Sequence, residues 1–152
     1  MAIPGDLYKK WIDYIDSVSL DIQTIKNNLG KVISAIVTLL ASGDRTASGA
    51  GDPVIGLGVY REGYVILNVT AASGTTPTLD VIIQTSPDEG VTWENFVTFA
   101  QKIAVGIETK RFSSYQAVAA GAGPFGDQMK VVYTIGGTTP SFTFSVKGMF
   151  KS

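Results

Sequence analysis

The sequence contains neither cysteine nor histidine. Without cysteine there are no disulfides, no thiolate nucleophiles and no thiolate metal sites, and nothing marks a redox compartment. Without histidine the chain lacks the commonest general base, the commonest metal ligand and the usual switch near neutral pH. Charge of one sign is missing too: 12 lysines and arginines stand against 13 aspartates and glutamates. No basic stripe exists to neutralise phosphates, so nucleic acid is not an expected partner. The longest apolar run, Val32 to Ala41, is interrupted by Ser34 and Thr38 and is about half the ~20 residues that span a membrane. Met1-Ala2-Ile3-Pro4-Gly5 has no basic region ahead of an apolar core and does not read as a secretory signal. The expectation is a chain made in a cytoplasm, with no membrane partner.

The 152 residues suffice for one well-buried domain plus an appendage. The stretch from Leu7 to Leu40 carries a series of apolar residues whose steps alternate three and four: Tyr8, Trp11, Ile15, Val18, Ile22, Ile25, Leu29, Val32, Ile36 and Leu39. A repeat averaging 3.5 residues winds helices into a left-handed supercoil. β-Branched residues occupy both heptad positions, which favours three strands or more over two. These ten residues are therefore the expected interface of a homotrimer. Asp6 is placed to cap the helix and to suit its dipole, and the opposite face carries Lys9, Lys10, Asp13, Asp16, Asp21, Lys26 and Lys31. Two other readings stand beside this one. Ile12, Tyr14, Ile33, Val37 and Leu40 widen the apolar face, as in a helix lying on its own domain. Asn27-Asn28-Leu29-Gly30 is a usual helix stop, which would make a helical hairpin. The unbroken apolar register through Gly30 favours one continuous helix.

Ser42 to Pro53, SGDRTASGAGDP, reads as a flexible linker. It has glycines but no following Lys-Ser/Thr, so it is no phosphate loop. From Val54 onward the period changes to two. Strands are expected near 54–60, 63–72, 78–85, 91–99, 102–109, 111–119, 129–136 and 141–150, with turn residues every ~8–12 positions. The fold class is then mainly β: an antiparallel β-sandwich or jelly roll of about eight strands, preceded by a long N-terminal coiled-coil helix. The domains are residues 1–41, an oligomerisation helix, residues 42–53, a linker, and residues 54–152, the sandwich. Val69 to Gln84 parallels Val132 to Lys147 through a shared Gly-Thr-Thr-Pro (Gly74 to Pro77 and Gly137 to Pro140), which suggests two equivalent hairpins.

The candidates for chemistry have simpler explanations. Ser86-Pro87-Asp88-Glu89-Gly90 pairs two carboxylates, but proline second and glycine last make a hairpin turn, and no Asp-x-Asp-x-Asp-Gly calcium loop occurs. Asn68-Val69-Thr70 matches a glycosylation acceptor but lies within an expected strand. Serines and threonines abound with no histidine to activate them. Trp93, Phe96 and Phe99 form either a sugar platform or core, and their strand parity favours core. Ala117 to Gly126 is a small-residue loop. The chain reads as a non-enzyme with no cofactor, metal or catalytic residue.

The run from Thr78 through Ser86-Pro87-Asp88-Glu89-Gly90 to Trp93 and Phe96, with the ending Gly137 to Val146, resembles small β-sandwich virion proteins of tailed bacteriophages. The likeness covers residues 54–152 and rests on turn chemistry, with Glu89 an extra residue before Gly90 and the helix lying outside it. It implies a homo-oligomeric virion protein, a capsid decoration (cement) or head-fibre protein whose partners are itself and other virion proteins such as the major capsid protein. The alternative is a tail-fibre or baseplate adhesin that binds host glycans through its sandwich. A seam residue buried between helices contributes about 1.5–3 kcal/mol. Ile25→Asp is therefore expected to lower the solution mass to that of a monomer and leave the β circular dichroism unchanged; an unaltered mass would misplace the seam.

Overall fold

The computed structural model describes residues 5–28, 34–113 and 126–152. The chain divides into two compact units, residues 1–32 and residues 33–152.

The first unit contains one helix, α1, Gly5–Asn28, with Asp6 in its first turn. An acidic group there is favoured by the positive end of the helix dipole. The helix expected to reach Leu40 is thus shorter. It spans Gly5–Asn28 among the described residues, and the chain from Ser34 is a strand; the Leu29-Gly30 pair lies outside the described residues.

The second unit begins with a strand in the stretch that reads as helix. β1, Ser34–Arg45, runs antiparallel to the last strand, with Ala35 opposite Phe150 and Val37 opposite Gly148. Ile36, Val37 and Thr38 are β-branched, which stiffens them in a manner that suits a pleated strand. Alternation then decides the faces: Ile36 is 80% exposed, and Leu39 is 3% exposed after a register shift between Thr38 and Leu40. The heptad series breaks here, because its last two residues lie on opposite sides of a sheet. Of the expected linker, Ser42 to Arg45 belongs to β1, and Gly49–Ala50 is a short strand, β2.

The remaining strands are β3, Glu62–Ser86; β4, Glu94–Thr98; β5, Gly106–Ser113; and β6, Gln128–Lys151. All pair antiparallel in one six-stranded sheet of order β1-β6-β3-β4, with β2 added to β6 and β5 to β3. The expected count of eight resolves as follows. The strands at 63–72 and 78–85 are two halves of β3, and those at 129–136 and 141–150 are two halves of β6. Of the three between them, the one at 91–99 is β4 and those at 102–109 and 111–119 merge into β5, with residues 114–119 outside the described residues. Residues 54–60 are no strand. Val54 makes a single bridge to Met129, after which the Asp127 carboxylate accepts the amides of Gly56 and Gly58 at 3.2 and 3.1 Å and takes up the donors a ladder would use.

β3 and β6 pair along their whole length, from Glu62 opposite Lys151 to Ser86 opposite Gln128. The two Gly-Thr-Thr-Pro segments make no hairpins. They are bends in two continuous strands, and they cross. Thr75 pairs with Thr138, its own equivalent in the repeat. A residue of an antiparallel ladder that pairs with its equivalent lies on a local two-fold axis. The backbone obeys that axis: φ is 110° at Gly74 and 113° at Gly137, 48° at Thr76 and 49° at Thr139. Each glycine is pressed on the opposite bend, so that a β-carbon would lie 2.7 Å from the carbonyl of Thr139 (from Gly74) or of Thr76 (from Gly137).

The axis exchanges two halves. One comprises β1, the end of β6, the start of β3 and β5; the other comprises β2, the start of β6, the end of β3 and β4. The crossing folds the ribbon sharply. Tyr133 and Phe144, eleven positions apart on β6, would be separated by about 36 Å in a straight strand, yet their rings meet edge to face at 5.3 Å. The inner faces of both halves consequently share one apolar core, in which Val65, Leu67, Leu79, Val81, Phe142 and Phe144 are all fully buried. Arg45 closes one side. Its guanidinium lies 4.7 Å from the Phe144 ring and 5.4 Å from that of Tyr133 and donates to the carbonyls of Ala41, Gly43 and Phe144 at 2.8–3.0 Å. Gly63 lies opposite Phe112 and Phe150 in the ladder, and the Phe112 ring covers its bare backbone.

The symmetry of the crossing predicts that Gly74→Ala and Gly137→Ala each cost about 1–3 kcal/mol and agree with each other within error. Urea unfolding of the two variants measures this; a large inequality would mean the halves do not share the strain.

Candidate functional site

The structure places six of the ten expected interface residues on one face of α1. In a straight helix at 100° per residue, Tyr8, Trp11, Ile15, Val18, Ile22 and Ile25 fall within an arc of about 100°. Tyr8, Trp11, Ile15, Ile22 and Ile25 are between 46% and 61% exposed, and Val18 is half-buried. Leu7, Lys10, Trp11 and Tyr14 line a shallow open depression on the same helix. Leu29 and Val32 lie outside the described residues. Ile36 and Leu39 do not join the face; they belong to β1. Most helical stability in proteins comes from packing an apolar face rather than from propensity, so the face calls for a covering surface.

The Ser86-to-Gly90 segment is a turn, and its geometry explains each polar residue. The Ser86 hydroxyl accepts the Gly90 amide at 2.7 Å and donates to Asp88 at 2.9 Å. Asp88 also accepts the Thr92 amide at 2.7 Å and the Thr92 hydroxyl. These Thr92 bonds, the hydroxyl foremost, hold the Asp88 carboxyl below the usual aspartate value. Glu89 and Gly90 take φ of 57° and 92°, and the turn leaves Val91 projecting into solvent.

The three aromatics that follow form no open platform. The Trp93 indole donates to the Gly90 carbonyl at 3.0 Å, and the Lys130 ammonium lies 4.0 Å from the centre of its ring. Phe96 meets Phe112 edge to face at 5.4 Å, and Phe99 is buried. Gly126 belongs to the described residues, and most of the Ala117 to Gly126 loop does not. Asn68 lies within β3. Among the described residues no three acidic side chains converge to hold a metal ion, and no helix is long and apolar enough to cross a membrane.

The densest charge cluster surrounds Glu108 on β5, which the sequence did not single out. Its carboxylate bonds Lys102 at 2.5 Å and Lys110 at 3.0 Å and accepts the Ala100 amide at 3.1 Å. The cluster ties the segment after β4 to β5. Burial pushes the carboxyl up, but the hydrogen bonds from Lys102, Lys110 and Ala100 outweigh it and hold Glu108 below the ordinary glutamate value. Lysine and glutamate six positions apart carry no motif, and only the fold brings them together.

No protein-family model matches the chain, and no curated protein matches it in sequence. Similar solved structures include the SPBc2 prophage-derived protein YomS, at 15% identity and a TM-score of 0.41, covering 80% of this chain and 95% of that one. The capsid of Ralstonia phage GP4 contains a chain similar at 20% identity and a TM-score of 0.41, over 80% and 84% of the two chains. The VP2 subviral particle of infectious bursal disease virus is similar at 9% identity and a TM-score of 0.43, over 80% of this chain and 33% of that one.

A carboxyl whose pKa is depressed by folding stabilises the native state above its unfolded pKa and ceases to do so as pH falls through the folded value. Glu108→Gln is therefore expected to lower the urea midpoint at pH 7, and the gap to the wild type should close in acid, below the ordinary carboxylate range. Urea titrations across that range test this; a gap independent of pH would remove the lysine pairs as its cause.

Proposed function

We propose that the chain is a non-enzymatic structural protein of a tailed-phage virion, a homotrimer that decorates and cements the capsid or forms a head fibre. The observation that carries the proposal is the apolar face of α1, where five large side chains at coiled-coil spacing lie exposed. Burying each one between helices contributes about 1.5–3 kcal/mol, which is ample to hold three copies together. β-Branched residues at both heptad positions, such as Ile15, Val18, Ile22 and Ile25, favour the trimer over the dimer. A three-fold oligomer suits the local three-fold positions of an icosahedral shell, because partner symmetry then matches its own. In this reading the folded ribbon is a β-sandwich of two four-stranded halves, in keeping with the resemblance of the Ser86-to-Trp93 turn to phage virion proteins. Partners would be the chain itself and shell proteins such as the major capsid protein, and the location the virion.

The adhesin alternative draws no support from Trp93, whose ring face lies under Lys130. Sedimentation is expected to give a mass near three times 16.1 kDa, and antibody raised to the chain should label the heads of intact particles. A monomer would end the helix argument, and label on tails alone would end the head assignment.

A further inference from the structure

The outer face of the half built from β1, β6, β3 and β5 is unusual for an antiparallel sheet exposed on one side. Such a face ordinarily carries polar residues. Here Ile36, Met149 and Tyr64 stand side by side on three neighbouring strands, with Ile66 and Ile107 on the adjoining rows. Ile107 is 69% exposed. The same face carries Lys147 and Lys151 from β6 and Arg111 from β5, against one carboxylate, Glu62, which is bound to Arg111 at 3.2 Å. Among the described residues neither Lys147 nor Lys151 makes an ion pair.

A complementary surface occurs on the other half. The turn between β3 and β4 presents Val91, 82% exposed, with Glu89 and Glu94 on either side. Among the described residues neither glutamate makes an ion pair. The turn is held rigid by the Ser86 and Asp88 hydrogen bonds, so little order is lost when Val91 is covered. Val91 and Ile36 are the two most exposed large apolar side chains among the described residues, and they belong to opposite partners of this match.

We propose that the outer sheet face of one copy receives the Val91 turn of a second copy, with Lys147 and Lys151 set against Glu89 and Glu94. The contact is heterologous, so repeating it yields a closed ring or an open chain of copies. A face four strands wide at about 4.8 Å spacing covers well under the ~800 Å² per partner of a standard interface. The association is accordingly weak and sensitive to salt, and it gains strength where copies are already held side by side. It requires nothing of the helix seam and is read by a different measurement from the one that tests the trimer.

The test mixes equal amounts of unlabelled and heavy-nitrogen-labelled full chain, treats them with a zero-length carbodiimide, and identifies linked peptides by mass spectrometry. The expected product joins Lys147 or Lys151 to Glu89 or Glu94 in mixed-isotope pairs. Its yield should fall several-fold between about 0.05 and about 0.5 M salt, as screening shortens the reach of the charges. Lys147→Glu should lower the yield similarly, and adding Glu89→Lys in the same chain should restore it, an outcome that mere loss of folding would not give. Links confined to single-isotope pairs, links to other carboxylates, or a yield indifferent to the charge exchange would overturn the proposal.

Discussion

The β unit depends on the contact between two bends. Gly74 lies against the backbone of Thr139 and Pro140, and Gly137 against that of Thr76 and Pro77. Only residues without a β-carbon allow the chains so close, and only a positive φ turns them in the required direction. Because both strands bend at the same place, they remain paired on either side of it. One ladder therefore serves as the central pair of both halves, and the core forms between them. The Tyr133–Phe144 contact, the Arg45 clamp at its edge and the shared apolar cluster all follow from that crossing.

Much of this was legible in the residues, though not always for the right element. The alternation of Leu79, Val81 and Ile83 with Asp80, Ile82 and Gln84 marked one half of β3, and that of Phe142, Phe144 and Val146 with Thr143, Ser145 and Lys147 marked one half of β6. The Gly-Thr-Thr-Pro echo announced an internal equivalence. What it could not announce was that the two copies pair with each other, since a bend and a hairpin turn use the same residue types. The Ser86 turn read correctly because its chemistry is local, with serine, aspartate and glycine each bonded within a few positions.

The misreading of residues 34–45 has a definite cause. Steps of three and four and steps of two agree over short distances, and Ile36 and Leu39 satisfied the first while Ile36 and Thr38 satisfied the second. β-Branching at Ile36, Val37 and Thr38 suited a strand, but the long apolar register concealed it. The Glu108 cluster was illegible for another reason. Lys102, Ala100 and Glu108 meet only because the segment after β4 returns to β3, where Leu79 bridges Lys102, and no local pattern encodes that return.

The full-length pairing of β3 with β6 also bears on how the protein comes into being. Among the described residues β1 pairs only with β6, on the order of a hundred residues later in the chain, and each half lacks a central strand until residues 128–151 are present. Contacts this distant in sequence make the search for the native state slow. During synthesis β1 lacks β6, and β3 can pair only with β4 and β5, so these Val- and Ile-rich strands must remain in solution beside other nascent chains without the complete core. The fold is thus completed late and nearly at once, and the interval before completion is when the chain is most prone to aggregate.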